Sequence, residues 1–306
     1  MQRRYTDNTT AAVLYPTDVV THVINIDSRF RNNPQSTPST DFIIKLPKSY
    51  KNITSLCLTS VEIPNMWYEF TAIKGNITMI VTDPYNTTPT QTLKISEGNY
   101  ATVDELALAV VTQMNIAFGY PVATGSLYGY TYTLDNVTNK ITISFQGAGV
   151  GQGPLPFSIV FPQTGRRPFD NGLGYYLGFS AQSYSGHASY TAEHFAVVIG
   201  DNYMFMELGS YEAVETTTFA DTAMSAFAKI IISSPKNDII YDNGNNLVSK
   251  RIPFSQPQNI SQLRIRLINC YGDTIVMPNN ISLTLEAAEI VNSTLYETYR
   301  QRITNV

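Results

Sequence analysis

The chain has 306 residues, a formal net charge of -4 and only 14% charged side chains, against roughly 25% in an average soluble protein. This balance provides no basic field that would hold nucleic acid or an anionic membrane, so general binding to either is excluded. Neutral polar residues, 20 Tyr and 14 Phe replace the missing charge, and this composition suits both β-sheets and protein interfaces.

The N-terminal segment, residues 1–19, is interpreted as an arm outside the folded part of the chain. It contains Arg3, Arg4 and Tyr5, which we predict to contact a neighbouring subunit. Solvated terminal charges are the alternative interpretation. At the other end of the chain, residues 291–306 are interpreted as a C-terminal tail.

The first strand pattern ends in the sequence "VINIDSRFRNN", which begins at Val23. Asp27 and Ser28 have side chains short enough to accept hydrogen bonds from the backbone amides that follow, so an Asx-type turn is predicted at the strand exit. Arg29 and Arg31 are expected to reach a carboxylate, or carbonyl groups of the next strand or the next subunit. We therefore predict a structural turn and no catalytic role, and an intersubunit contact is a further interpretation of the same residues.

Alternation of apolar and polar residues with period two is the dominant pattern of the chain. It occurs in "NITMIVTD", in "YTYTLDNVTNKITISF", which reads as a hairpin, and in "QLRIRLIN" and "NISLTLEA". In the third of these, Leu263, Ile265 and Leu267 are predicted to face inward and Arg264 and Arg266 outward. Antiparallel strands with one buried face explain this alternation better than a parallel sheet does. The predicted fold class is mainly β, with an antiparallel sandwich formed by residues 20–64 and 201–290.

One segment follows helical spacing instead. Thr102 and Glu105 have the spacing of a capping box, and apolar residues then recur every three or four positions until Gly119 provides a stop. A helix is predicted near residues 103–118. Because this helix lies among short strands in the middle third of the chain, residues 65–200 are interpreted as an α+β insertion into the sandwich.

Catalytic and cofactor motifs are absent from the sequence. His22, His187 and His194 form no HxH or HExxH pair, which disfavours a metal site. The glycine-rich "GAGVGQGP" has neither the lysine of a phosphate-binding loop nor the third glycine of a dinucleotide-binding turn. The longest apolar runs, "FAVVIG" and "AKIII", are far shorter than the roughly 18 residues of a membrane span. We expect no enzymatic activity, cofactor, metal site, nucleic-acid site or transmembrane segment.

The order of several motifs resembles a family of capsid proteins of large nucleocytoplasmic DNA viruses, in particular the penton and penton-like minor capsid proteins. These motifs are "VINIDSRFRN", "DFIIKLP", "YKNITSLCLTSVEIP", "ISEGNYATVDELALAV", "LGFS", "AFAKIIISSP", "ISQLRIRLINCYGD" and "ISLTLEAAEI". They cover nearly the whole chain, from about Val20 to Ile290. At Phe30 the sequence departs from the acidic or polar residue expected there.

The resemblance implies a jelly-roll sandwich, five copies of which surround a fivefold vertex of an icosahedral shell. The implied partners are other copies of the chain in a homopentamer, the major capsid protein and minor capsid proteins. The implied location is the virion, with assembly in the infected host cell, in its cytoplasm. Two alternatives remain open: a minor capsid protein elsewhere beneath the shell, and a receptor- or glycan-binding module on the virion surface.

Overall fold

The computed structural model describes residues 19–122, 128–147, 153–162, 172–211, 214–217, 223–244 and 251–291. It contains sixteen strands and two α-helices within these ranges, and they are numbered separately in chain order. They are β1 (Val19–Asp27), β2 (Asp41–Pro64), β3 (Thr78–Thr82), β4 (Thr90–Lys94), α1 (Val103–Phe118), β5 (Gly129–Asp135), β6 (Lys140–Gln146), β7 (Phe157–Val160), α2 (Leu173–Leu177), β8 (Ser183–His187), β9 (Ser189–Thr191), β10 (Tyr203–Leu208), β11 (Val214–Thr217), β12 (Ala223–Ala226), β13 (Ala228–Ile231), β14 (Ile239–Asp242), β15 (Ile252–Ile268) and β16 (Ser282–Ile290).

The chain divides into two compact units at Trp67/Tyr68 and at Gly200/Asp201. The first unit combines residues before and after the division, and the second unit is the continuous stretch Tyr68–Gly200. The second unit is therefore an insertion, in sequence, between β2 and β10 of the first. We call the first unit the sandwich and the second the insertion.

The sandwich is built from one antiparallel sheet with the strand order β1-β16-β2-β15-β10-β13, with β14 also paired to β2. The long strand β2 belongs to both halves of this sheet. Residues 41–45 of β2 pair with the end of β15, whereas residues 53–62 pair with β16, and register shifts separate the two parts. These irregularities bend the strands, as β-bulges do. The result is two four-stranded layers, β1-β16-β2-β14 and β2-β15-β10-β13.

Burial explains why the sheet folds over on itself. One face of each layer consists of alternating apolar residues that are almost fully buried, and together they form one core cluster. The described part of the sandwich has no α-helix that could cover this face, so the two layers cover each other. In β15, Leu263, Ile265 and Leu267 lie in this core, as predicted. This strand order and shared core are those of a jelly roll, and the predicted fold class is confirmed.

The outer face of β15 carries the two arginines that were predicted to point outward. Arg264 pairs with Asp41 of β2, with 3.1 Å between Nη2 and Oδ2, and Arg266 pairs with Glu207 of β10 at the same distance. Each pair joins neighbouring strands of one layer. Because both pairs are partly exposed, each contributes little more than about 1 kcal/mol.

The insertion has its own core between two antiparallel sheets and the helices. One sheet has the order β4-β3-β7-β8, and the other has the order β5-β6-β9. The predicted hairpin is β5–β6, with Tyr130 facing Phe145 and Leu134 facing Ile141 across the two strands.

The predicted helix is α1. Its N-cap is Thr102, whose Oγ1 accepts a hydrogen bond from the Glu105 amide at 3.1 Å. The Glu105 carboxylate accepts from the Ala101 amide at 2.8 Å, one residue earlier than in a standard capping box. Gly119 ends the helix in the left-handed conformation, with φ of 73°. Both predicted helix ends are therefore confirmed.

Candidate functional site

The predicted Asx turn lies at the exit of β1, where Ser28–Phe30 form one turn of 3₁₀ helix. Asp27 Oδ1 accepts a hydrogen bond from the Arg29 amide at 2.9 Å. The Arg29 side chain turns back to the same carboxylate, with 2.8 Å between Nε and Oδ2. The hydrogen bonds from Arg29 lower the pKa of Asp27, against the opposing effect of burial. Asp27 therefore stays ionised and pairs with a residue two positions along its own chain.

Ser28 connects this turn to the strand that lies beside β1. Its side chain is completely buried, and its Oγ accepts a hydrogen bond from the Ile281 amide at 2.8 Å. The Ser28 amide donates to the Ile281 carbonyl at 2.9 Å. Two hydrogen bonds thus join residues that are 253 positions apart in the sequence. Ser28 extends the β1–β16 pairing by one further residue on each strand.

Arg31 organises the loop that follows. Its guanidinium donates to three backbone carbonyls, those of Ser28 at 2.6 Å, Pro34 at 2.8 Å and Thr37 at 2.9 Å. It also donates to Asn280 Oδ1 at 2.8 Å. A planar group with five donors suits this task, which lysine could not perform. Arg31 therefore binds carbonyl groups of its own loop.

A shallow pocket of about 280 Å³ lies beside the turn. Both charged and apolar side chains line it, namely Asp27, Arg29, Glu62, Pro64, Ile239, Asn280, Ile281 and Ser282. Phe30 on the 3₁₀ turn is 75% exposed, and Ile239 and Tyr241 on β14 are also exposed. The face near the turn therefore combines exposed apolar side chains with a charged pair.

Two buried hydroxyl side chains also connect distant parts of the sandwich, and sequence reasoning did not identify them. Ser39 and Thr40, just before β2, are both buried. Ser39 Oγ donates to the Asn279 carbonyl at 2.6 Å and also lies 3.1 Å from the Met277 carbonyl, and Thr40 Oγ1 donates to that of Ile275. The local signal was only two hydroxyl residues at the end of a loop, and their partners lie about 235 to 240 positions away. No spacing rule could have linked them.

The insertion contains two buried carboxylates, and each has a polar partner. Glu69 lies 2.9 Å from Lys74 Nζ and accepts a hydrogen bond from the Tyr176 hydroxyl at 2.8 Å. Asp83 accepts from the Tyr120 hydroxyl at 2.5 Å. Burial, followed by the hydrogen bond to Asp83, raises the pKa of Tyr120 to about 12. Both carboxylates have the partners that a structural role requires.

Several predicted residues lie outside the described part of the chain, including Arg3, Arg4 and Tyr5. Among the residues that are described, no group of three or more His, Cys, Asp or Glu side chains is arranged to hold a metal ion. No helix within the same ranges is long and apolar enough to cross a membrane.

No family model matches the chain, and no curated protein matches it in sequence. The chain is similar in structure to the crystal structure of the selenomethionine-labelled mavirus penton protein, with a TM-score of 0.48 and 10% identity, over 89% of this chain and 99% of that one. It is also similar to a chain of the Sputnik virophage structure determined by cryo-electron microscopy. There the TM-score is 0.39 and the identity 12%, over 88% of this chain and 97% of that one. The jelly-roll fold follows from the strand order and shared core, independently of these two structures.

Proposed function

We propose that this chain is a structural protein of a viral capsid, the penton that forms fivefold vertices by self-association. Its other partners would be the major capsid protein and minor capsid proteins, and it would carry out no catalytic step. The observation that supports this proposal is the jelly roll itself, whose strands carry the motifs that resemble the penton family. The first of these motifs contains Ser28, whose two hydrogen bonds with Ile281 connect the end of β1 to the start of β16.

The surface of the sandwich fits such a role. Large apolar side chains are exposed on several of its strands and turns. They are Val19, Val20, Val23, Phe30, Ile43, Ile239, Tyr241, Val276 and Val291. In a ring of five identical copies each contact is head-to-tail, so two different flanks of the sandwich must bind each other. The Asp27–Arg29 turn and Arg31 would lie in or beside one of these flanks.

Purified full-length protein would test self-association. Sedimentation velocity and mass photometry are expected to detect a particle of about 170 kDa, five times the 34.0 kDa mass of the chain. A chain that stays monomeric at concentrations up to about 100 µM would contradict the penton proposal, because stable interfaces of this class assemble well below that concentration.

A cryo-electron map of the intact particle would test the position in the shell. Density for this fold at the fivefold axes is expected. Density only at other positions would instead support the minor capsid protein. Localisation of the chain by antibody in infected cells would test assembly in the cytoplasm.

A receptor- or glycan-binding role is the second candidate, and one observation favours it. The insertion exposes aromatic side chains, among them Tyr68, Tyr175 and Phe195, each at least half exposed, and exposed aromatic rings are common sites for sugar stacking. A glycan array probed with the purified protein would test this role. Binding that is lost when these three residues are replaced by alanine would support it.

A further inference from the structure

The sandwich leaves one long strand edge open. Over the residues that the structure describes, β1 pairs with β16 along all nine of its positions, from Val19 opposite Ile290 to Asp27 opposite Ser282. It is the last strand of its layer and has no other paired strand. Its outer edge therefore presents unpaired backbone donors and acceptors along the strand, which is a template for another strand.

Among the described residues, the other edges of the main sheet are short or protected, and the part of β15 that extends beyond β10 contains Pro253 and Pro257. The free edge of β2 contains Lys45, Pro47 and Lys48, and the Ile43 carbonyl there accepts a hydrogen bond from the Asn32 amide at 2.9 Å. The strands β13 and β14 have four residues each, and β13 contains a lysine. Lysine, proline and short length are the means by which natural sheets prevent edge-to-edge pairing.

None of these protections is found in β1. Its sequence, VVTHVINID, has no lysine and no proline, and its register with β16 contains no bulge. Val19, Val20 and Val23 are exposed, the last at 68%. A regular edge of nine residues with exposed valines is a liability for a free monomer, but it is suited to an assembly in which another strand covers it.

The sequence contains a segment that fits this edge. Residues 8–17, NTTAAVLYPT, carry no charge between Asp7 and Asp18, and TAAVLY within them combines small, β-branched and aromatic residues. This segment is joined to β1 at Val19. Nine residue steps separate Thr10 from Val19, and when extended they span at most about 32 Å, which is enough to reach a copy that lies directly beside the start of β1.

We propose that residues 10–15 of one copy add as a strand to the open edge of β1 in the adjacent copy. This inference rests on the proposed capsid function and names the contact by which the copies are linked. Pairing with β1 of the same copy would need a tight hairpin through Pro16, Thr17 and Asp18. That connection has no glycine, the residue that the tight two-residue hairpin turns favour for their positive φ. Transfer to the next copy needs no such turn, and it is head-to-tail, as a closed ring demands.

Disulfide trapping distinguishes the two arrangements. In a background with Cys57→Ala and Cys270→Ala, one population carries Val13→Cys and a second population carries Val23→Cys. After mixing and mild oxidation, a disulfide-linked dimer of the two is expected on a non-reducing gel. If a disulfide forms only when both substitutions are in one chain, the segment pairs within its own copy and the proposal is overturned.

Deletion of residues 1–15 provides a second experiment. The truncated chain is expected to sediment as a monomer and to bind a synthetic peptide of residues 8–17. Val23→Lys in the truncated chain should weaken that binding at least tenfold. The matched control is Val137→Lys, the same change at a 93% exposed valine in the β5–β6 turn, which should leave peptide binding unchanged.

These experiments can contradict the strand-exchange proposal and the capsid proposal independently of each other. A truncated chain that still forms the full-length oligomer, without peptide binding, would overturn the strand-exchange proposal while the capsid proposal stands. A full-length chain that never self-associates would contradict the capsid proposal. Peptide binding that is equally strong in the Val23→Lys and Val137→Lys variants would show that β1 is not the acceptor, and would also overturn the inference.

Discussion

Replacement of Ser28 by alanine tests whether the turn after β1 stabilises the sandwich through its hydrogen bond with Ile281. The serine is fully buried, and its Oγ is the acceptor for the Ile281 amide at 2.8 Å. Alanine removes this acceptor and leaves the amide without a partner. The hydrogen bond between the Ser28 amide and the Ile281 carbonyl remains.

The expected cost follows from the number of groups left unsatisfied. Ser28 Oγ also donates to Asn280 Oδ1 at 3.2 Å, but that oxygen keeps the stronger bond from Arg31 at 2.8 Å. Only one buried donor is orphaned, and one such group costs about 1–3 kcal/mol. We expect Ser28→Ala to lower the free energy of unfolding of the sandwich by about 2 kcal/mol.

Urea denaturation followed by tryptophan fluorescence measures this change. The chain has a single tryptophan, Trp67, and it is buried in the sandwich core. Its emission therefore reports the unfolding of the sandwich, even if the insertion unfolds at a different urea concentration. The change should appear as a lower midpoint at constant slope.

The matched control is Ser36→Ala in the same loop. Ser36 is exposed, and its Oγ makes one hydrogen bond of 3.3 Å, to the Asn33 carbonyl, so its loss should cost less than about 0.5 kcal/mol. If Ser28→Ala lowers the free energy of unfolding by as little as the control does, the hydrogen bond of Ser28 with Ile281 does not stabilise the sandwich and the reasoning is refuted.

Three further predictions concern the insertion. Gly178 and Gly186 have similar positive φ angles, 86° and 83°, but only at Gly178 would an added Cβ meet a backbone oxygen, 2.3 Å away. Thermal unfolding should therefore show that Gly178→Ala lowers the free energy of unfolding by about 1–3 kcal/mol more than Gly186→Ala does. Equal losses of stability in the two variants would contradict this. Thr102→Ala should destabilise the insertion by about 1 kcal/mol through loss of the N-cap, as measured by urea unfolding followed by circular dichroism, whereas Thr112→Ala within the helix should be neutral or stabilising. Because the pKa of Tyr120 is raised to about 12, its protonated form stabilises the fold up to the ordinary tyrosine pKa near 10, and this stability is lost as the pH rises from there to 12. Urea midpoints at pH 9 and 11 should therefore differ less for Tyr120→Phe than for the wild type, and an identical pH dependence would contradict the role of this hydroxyl.

Local patterns predicted the elements that depend on neighbouring residues. The helix α1 was predicted with both ends because a cap, an apolar stripe and a glycine stop all lie within one segment of 18 residues, Thr102 to Gly119. The β5–β6 hairpin and the inward face of β15 were predicted because a sheet with one buried face requires alternation. The Asx turn at Asp27 involves atoms only two residues apart, so it too could be predicted from the sequence.

Contacts between distant residues could not be predicted in this way. Sequence reasoning expected Arg31 to reach a carboxylate, or carbonyl groups of the next strand or subunit; which groups surround it was decided by the fold, which places three carbonyls of its own loop and the side chain of Asn280 around it. The buried joints of Ser28 with Ile281 and of Ser39 with Asn279 depend on β1, β2 and β16 meeting in one sheet. No local spacing of residues predicts that these three strands lie in one sheet.

The sequence by itself thus determined the long helix, several strands with their buried faces and the class of fold, because hydrophobic periodicity and capping are local properties. The tertiary structure decided which strands are neighbours and which edge stays open. The open edge of β1 is the clearest case. Its sequence predicts a half-buried strand, but only the order β1-β16-β2 shows that one side of it has no paired strand among the described residues. Strand pairing joins residues more than 250 positions apart, so the choice of partner depends on how the whole sandwich closes around its core.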